Sequence, residues 1–188
     1  LEAKKLGAVV EAPCINSSGL ETIIRGTVIY LGFQHIAGIE TRQMQRLLDA
    51  RDSGGAFTGF TDLLQRISLP LEQLLLLIRV GALRSLGMPK KELMWNAHLN
   101  FHKVSLKSEV QPQLFLQEGR KFEFPELSET DLEEVFEHME LLDFPLCNPF
   151  EILEKDPGEH VLARDLVNQV GRDIVTYGYF ISLKKRLI

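Results

Sequence analysis

Apolar residues recur at helical spacing through the middle of the chain, between polar stretches whose pattern is weaker. Residues 41–52 set Met44, Leu47, Leu48 and Arg51 along one face, and Thr41 stands where an N-cap is wanted. The glycine pair Gly54–Gly55 supplies the positive φ that ends such a helix. Before it, residues 34–39 read as a tight turn around Gly38. A second short helix is predicted over residues 60–67. Pro70 then opens residues 71–80, a segment apolar on nearly every side and therefore expected to be buried. Gly81 breaks the chain ahead of a short turn at residues 82–86, and Pro89 starts a longer helix reaching about Val104. Upstream, residues 1–10 read as the end of a helix and residues 11–19 as a loop. Residues 23–31 are β-branched and partly alternating, which predicts a short strand or two.

The pattern vanishes over residues 105–127, where polar residues, two prolines and Gly119 describe a linker. Ser128 or Thr130 then caps an acidic amphipathic helix that carries Leu132, Val135, Phe136, Met139 and Leu142 on one face. Thr130 and Glu133 have the spacing of a capping box. Asn148 begins a further short helix, residues 161–170 are helix-like, and residues 173–181 read as a β-strand. A lone strand cannot make a sheet, so this end is expected to be part of an incomplete β element. The chain opens on Leu1 and stops at Ile188 just after that strand, so both ends read as cut. The fold class expected is mainly α, with short strands near the N-terminus and an unfinished β element at the C-terminus.

Charge divides the chain. Over its 188 residues the net charge is −5, which argues against a general nucleic-acid-coating protein. Residues 21–92 nevertheless hold nine Lys/Arg against seven Asp/Glu, whereas residues 118–159 hold three against fourteen. Any contact with a polyanion is therefore expected in the first half. Cys14 and Cys147 have no metal-ligand spacing and read as free thiols of a reducing, cytoplasmic compartment. The longest apolar run, residues 74–78, is far short of the ~20 residues that span a bilayer, so no membrane partner is expected.

Two constellations could carry function. In the first, a short helix, the turn Ala37–Gly38–Ile39 and a second helix form a helix-hairpin-helix pattern. Its glycine lets backbone approach a phosphate, and the next helix offers free N–H groups and a partial positive charge. Arg42 and Arg46, on the outer face of that helix, could pair with neighbouring phosphates. The plainer alternative is an αα-corner with solvated arginines. In the second, Gln111, Leu114 and Phe115 sit inside the linker as a compact docking peptide, two apolar anchors beside an amide. The alternative is that Leu114 and Phe115 pack on the chain's own surface. His98 and His102 lie one turn apart, but with no third ligand at suitable spacing they read as a solvated face. Asp131, Glu133 and Glu134 read as the wet side of a helix. There is no P-loop, nucleophile elbow or Asp-x-Asp pair, so no catalytic residue and no cofactor is expected in this chain.

Taken together the motifs resemble the bacterial DNA polymerase III α subunit, a C-family replicative polymerase. Residues 7–17 are similar to the stretch closing its fingers domain. Residues 31–39, with Ala50–Arg51 and residues 54–57, resemble the entry into its tandem helix-hairpin-helix domain, and residues 62–66 and 80–87 resemble the second half of that domain. Residues 140–150 look like the segment before its OB domain, and residues 161–181 like the opening helix and first strand of that domain. The resemblance implies five parts: the end of a fingers-type segment (1–31), the tandem helix-hairpin-helix domain (32–104), a linker with the peptide (105–127), acidic connecting helices (128–159) and the start of an OB domain (160–188). It further implies that double-stranded DNA is gripped through Ala37, Gly38, Ile39, Arg42 and Arg46, and that Gln111, Leu114 and Phe115 dock on a sliding clamp. The other partners implied are the remaining domains of a parent nucleotidyltransferase, whose Mg site would lie upstream. Three departures stand out. Glu40 occupies the place of a second hairpin glycine, Asp143 replaces the glycine of a Leu-Gly-Phe, and Cys147–Asn148 stands where Gly-His is common. The competing reading is a protein-interaction scaffold whose hairpins only brace their neighbours.

Overall fold

The computed structural model describes residue 4 and residues 6–106, 131–154 and 158–178, with the side chains of 102–106 and 131 also left aside. The chain forms two compact units, Leu1–Leu146 and Cys147–Ile188.

The first unit is a helical body with a small sheet. Strand β1 (Val9–Glu11), β2 (Ile23–Arg25) and β3 (Val28–Tyr30) lie in the order β1-β3-β2. Strands β2 and β3 form the expected antiparallel hairpin, with Ile24 opposite Ile29. Strand β1 is a departure from expectation: Val9 and Val10, read as a helix end, pair in parallel with Val28 and Ile29. Two adjacent β-branched residues favour the pleated backbone, and the partner edge nearly twenty residues downstream decides the matter. Gly32 follows β3 where the chain passes the backbone of Leu20 and Glu21, so close that a Cβ there would lie 2.4 Å from the Leu20 carbonyl oxygen.

The helices follow in the predicted order: α1 (Thr41–Gly54), α2 (Phe60–Arg66), α3 (Leu71–Arg79), α4 (Lys90–Leu106) and α5 (Asp131–Leu142), with 3₁₀ turns at Phe33–His35 and Arg84–Leu86. Helix α1 buries Met44, Leu47 and Leu48 and stops at Gly55, φ 77°. Its N-cap is Glu40 rather than Thr41, which is the first helical residue and makes no capping bond. Helix α3 buries Leu74, Leu77 and Ile78 and ends in a Schellman motif. There Ala82 N–H reaches Leu77 O at 2.8 Å and Gly81 N–H reaches Ile78 O at 3.0 Å, with Gly81 at φ 77°. One core joins these helices to Ile15, Leu31 and Phe33 upstream and to Leu141 and Leu142 downstream.

Helix α5 presents the expected face only in part, with Leu142 buried and Val135 and Met139 half-buried. Leu132 and Phe136 are 49% and 61% exposed, while His138, Leu141 and Leu142 are buried. Burial of Leu141 and Leu142 and the bond from Ala37 N–H seat the helix with Phe136 outward, and ion pairs to α3 and α4 lie alongside.

In the second unit, 3₁₀ turns run over Pro149–Ile152, capped by the Asn148 side chain, and over Ala163–Gln169, where an α-type helix was expected. The strand expected at residues 173–181 is not present over its described part, 173–178. Val161 N–H donates to Val175 O and Thr176 Oγ1 to Val161 O, but one such link does not make a ladder.

Candidate nucleic-acid interface

The first turn of interest connects the 3₁₀ segment Phe33–His35 to α1. Gly38 sits at φ 76°, a conformation that costs a side chain and suits glycine. Residue 40 sits at φ −87°, which any residue adopts, so the backbone has no need of a second glycine where Glu40 stands. The turn is braced from inside. Gln73, 3% exposed on the largely apolar α3, donates from Nε2 to Gly38 O at 3.1 Å. It also accepts Glu40 N–H on Oε1 at 2.8 Å. Ile39 N–H turns back to Ile36 O at 3.2 Å, and Ala37 N–H donates to Leu141 O at the end of α5 at 2.7 Å.

These bonds sort the predicted residues. The Ala37 and Ile39 amides are committed within the protein, whereas the Gly38 amide has no acceptor among the described residues. At the start of α1, Gln43 and Met44 donate to Glu40 O. The two amides ahead of them, Thr41 and Arg42, point out of the helix end, which no side chain caps. Arg42 and Arg46 lie one turn apart on the exposed face of α1 and make no ion pair among the described residues. The edge therefore offers a glycine amide, an open helix N-terminus and two solvated guanidinium groups, with the Glu40 carboxylate beside them.

Arg51 behaves differently, although spacing put it on the apolar face of α1. Its Nη1 donates to Ser18 O at 2.6 Å and Ile15 O at 3.1 Å, pinning the upstream segment onto the helices. Asn16 pins the same segment to the α1–α2 connection, exchanging bonds of 2.8 and 2.9 Å with the Phe57 backbone. On the second turn Arg84 donates to Pro13 O and Ala12 O and pairs with Glu11. The guanidinium of Arg66 lies 4.4 Å over the Phe57 ring and pairs with Asp62. The Asp62 carboxyl is held below the usual range, chiefly by the Thr58 N–H and further by Arg66.

Two turns built around left-handed glycines, each entered and left through short helical segments, are thus held on one core. Residues 7–93 match a family model described as a helix-hairpin-helix motif. Over 98 residues the chain is 31% identical to an error-prone DNA polymerase of Mycobacterium tuberculosis, a stretch that makes up 51% of this chain and 9% of that protein. The counterpart from Mycolicibacterium paratuberculosis is 30% identical over 98 residues. A DNA polymerase III subunit alpha of M. tuberculosis is 33% identical over 95 residues, 49% of this chain and 8% of that protein. About half of the chain is thus homologous to error-prone DNA polymerases and to DNA polymerase III subunit alpha, and the matched stretch spans less than a tenth of their length.

Around the helix-hairpin-helix region the acidic helix supplies counter-charges. Arg79 Nη2 meets Glu140 at 2.5 Å and its Nε meets Glu137 at 3.4 Å, while Lys90 meets Glu137 at 2.6 Å and Lys91 meets Glu133 at 3.6 Å. The bond to Glu140, with Glu137 adding to it, raises the Arg79 guanidinium above its ordinary value. His138 is buried on the same helix, beside a cleft of about 510 Å³ whose lining includes Arg84, Lys90 and Glu134. Its Nε2 has no hydrogen-bond partner among the described residues. Desolvation pushes its pKa below the ordinary 6.5, with Glu134 opposing. The sequence reading passed over His138 and Gln73; the signal for Gln73 was a single amide inside an apolar helix.

Gln111, Leu114 and Phe115 lie outside the described residues, as does the capping residue expected at 128 or 130. His98 is exposed on α4. Among the described residues no three of His, Cys, Asp and Glu converge to hold a metal ion. No helix among them is long and apolar enough to cross a membrane.

Proposed function

We propose that this chain is the duplex-DNA-binding, non-catalytic segment of a C-family polymerase, and that its linker tethers the polymerase to a sliding clamp through Gln111, Leu114 and Phe115. The observation that carries the first part is the exposed edge at Gly38, where an uncapped N-terminus of α1 and the solvated Arg42 and Arg46 face outward together. Such an edge contacts phosphates without reading bases. It holds a duplex in place and leaves sequence to the template. The polymerase parentage rests on the homology over about half of the chain, and the clamp contact on the order of apolar and amide residues in the linker alone.

A second reading, a brace between neighbouring domains, is favoured by the internal use of the Ala37 and Glu40 amides. Fluorescence anisotropy of a labelled duplex, titrated at several salt concentrations, separates the two. DNA binding predicts affinity that falls steeply with salt, and Arg42→Ala/Arg46→Ala reduces the log–log slope by about 1.8, at roughly 0.9 for each phosphate no longer neutralised. Equal binding by wild type and the double variant, or none at low salt, supports the brace. A clamp pull-down with Leu114→Ala/Phe115→Ala tests the tether separately.

A further inference from the structure

We infer that the carboxylates of α5 stand in for a nucleic-acid backbone on a second phosphate-binding surface, formed by Arg79, Lys90 and Lys91. The inference shares with the proposed function only its class of ligand, and it concerns a different face of the helix-hairpin-helix region.

The three cations come from two elements. Arg79 ends α3, and Lys90 and Lys91 open α4. The lysines are oddly placed for helix stability. The N-terminal turn of a helix carries a partial positive charge and favours anions, yet α4 begins with two adjacent cations ahead of Glu92. Two lysines on a helix N-terminus, with an arginine beside them, concentrate positive potential in the way that an anion site requires.

What fills that potential is a stripe of three carboxylates. Glu133, Glu137 and Glu140 recur at i, i+4 and i+7 on α5, and Glu137 bridges Arg79 and Lys90. Seven residues of helix cover about 10.5 Å, close to the axial rise of three nucleotide steps at about 3.4 Å each, the span of four successive phosphates on one strand. The charges on α5 therefore match a short run of phosphates in both sign and reach. Part-exposed ion pairs of this kind are weak and are screened by salt.

The attachment of α5 is uneven, which makes exchange feasible. Its C-terminal end is held by buried Leu141 and Leu142 and by the bond from Ala37 N–H. Its N-terminal half leaves Leu132 and Phe136 largely in solvent and meets α3 and α4 through the ion pairs. A polyanion can replace Glu133 and Glu137 on Lys91, Lys90 and Arg79 while the anchored end, with Glu140, stays seated.

The test uses the full chain and a short labelled DNA duplex. In Glu133→Gln/Glu137→Gln/Glu140→Gln, affinity at low salt should rise at least tenfold above that of the control Glu151→Gln/Glu154→Gln/Glu159→Gln, which changes net charge equally in the second unit. The salt slope should steepen by about 2.7, three phosphates at roughly 0.9 each. Adding Arg79→Ala, Lys90→Ala and Lys91→Ala should remove the gain. An equal gain in the control, a gain that survives the alanines, or no gain overturns the inference. Arg42→Ala/Arg46→Ala in the neutralised chain separates this inference from the hairpin reading: a gain that persists there, with wild-type binding untouched by the same pair, leaves this surface standing and the hairpin edge refuted. Circular dichroism checks that the variants fold. In the wild-type chain, duplex should speed amide exchange at residues 133–137 relative to α1, and unchanged or slower exchange counts against the inference even where a variant unfolds.

Discussion

Replacing Gln73 tests whether the hairpin edge is shaped from within. In Gln73→Leu the apolar packing of α3 is kept, but Glu40 N–H and Gly38 O each lose the partner they now have at 2.8 and 3.1 Å. A buried polar group left unpaired costs about 1–3 kcal/mol. Gly38 and Glu40 are themselves exposed, so water recovers part of that, and a net loss of about 2–3 kcal/mol is expected. Urea unfolding followed by the emission of Trp95, the single tryptophan, should show the midpoint falling by about 1–1.5 M for an m of about 2 kcal/mol/M, with m unchanged. The isosteric Gln73→Glu adds a sign. Ionised, it still accepts Glu40 N–H but turns an oxygen toward Gly38 O. Protonated, it makes both bonds. Its folded pKa is therefore raised above the unfolded value of about 4.3. Its stability relative to wild type should be near parity below that value and should be lost as pH rises through the folded pKa. A Gln73→Leu loss under about 0.5 kcal/mol, the scatter of ordinary surface changes, or a pH-independent Gln73→Glu, would refute the role given to this amide.

Three further outcomes follow from local geometry. Asp143 sits at φ 66° just past the end of α5, so Asp143→Gly should raise stability by about 0.5–1 kcal/mol, read as a higher Tm, once the flexibility gained by the unfolded chain is set against the relieved strain. Gly32→Ala should cost about 1–3 kcal/mol or more in the same assay, because its Cβ would meet backbone rather than a movable side chain. His138 is buried with its pKa below 6.5; as pH falls from 6.5 toward the folded value, only the unfolded chain takes up the proton, so stability drops across that window, and His138→Gln should flatten the profile.

Much of the helical body was legible because its signals are local. Spacing of Met44, Leu47 and Leu48, the stop at Gly54–Gly55, Pro70 ahead of α3 and the break at Gly81 each act within a few residues. What was not legible depends on partners far along the chain. Val9 and Val10 became a strand because β3 offers an edge to them. Arg51 looked like one more position on a helix face, yet its guanidinium is spent on carbonyls 33 and 36 residues upstream. The apolar stripe of α5 pointed to Phe136, yet the helix buries His138, because Leu141, Leu142 and the bond from Ala37 N–H seat its C-terminal end. Of the hairpin edge, Gly38, Arg42 and Arg46 were readable from pattern. The commitment of the Ala37 amide to Leu141 was not, because it joins segments about a hundred residues apart.

The clasp between the upstream segment and the second turn also sets the order in which this body can assemble. Arg84 closes onto Pro13 across 71 positions and onto Glu11 across 73, and Ile15 N–H finds its acceptor at Ala82. A bundle of helices usually folds fast because its contacts are local. Here the chain leaving the ribosome must hold Ile15 without its core neighbours until the second turn has emerged. Closure of that long loop must wait for both segments, and in the finished body the upstream segment and the second turn form a clasp that α4 and α5 then follow.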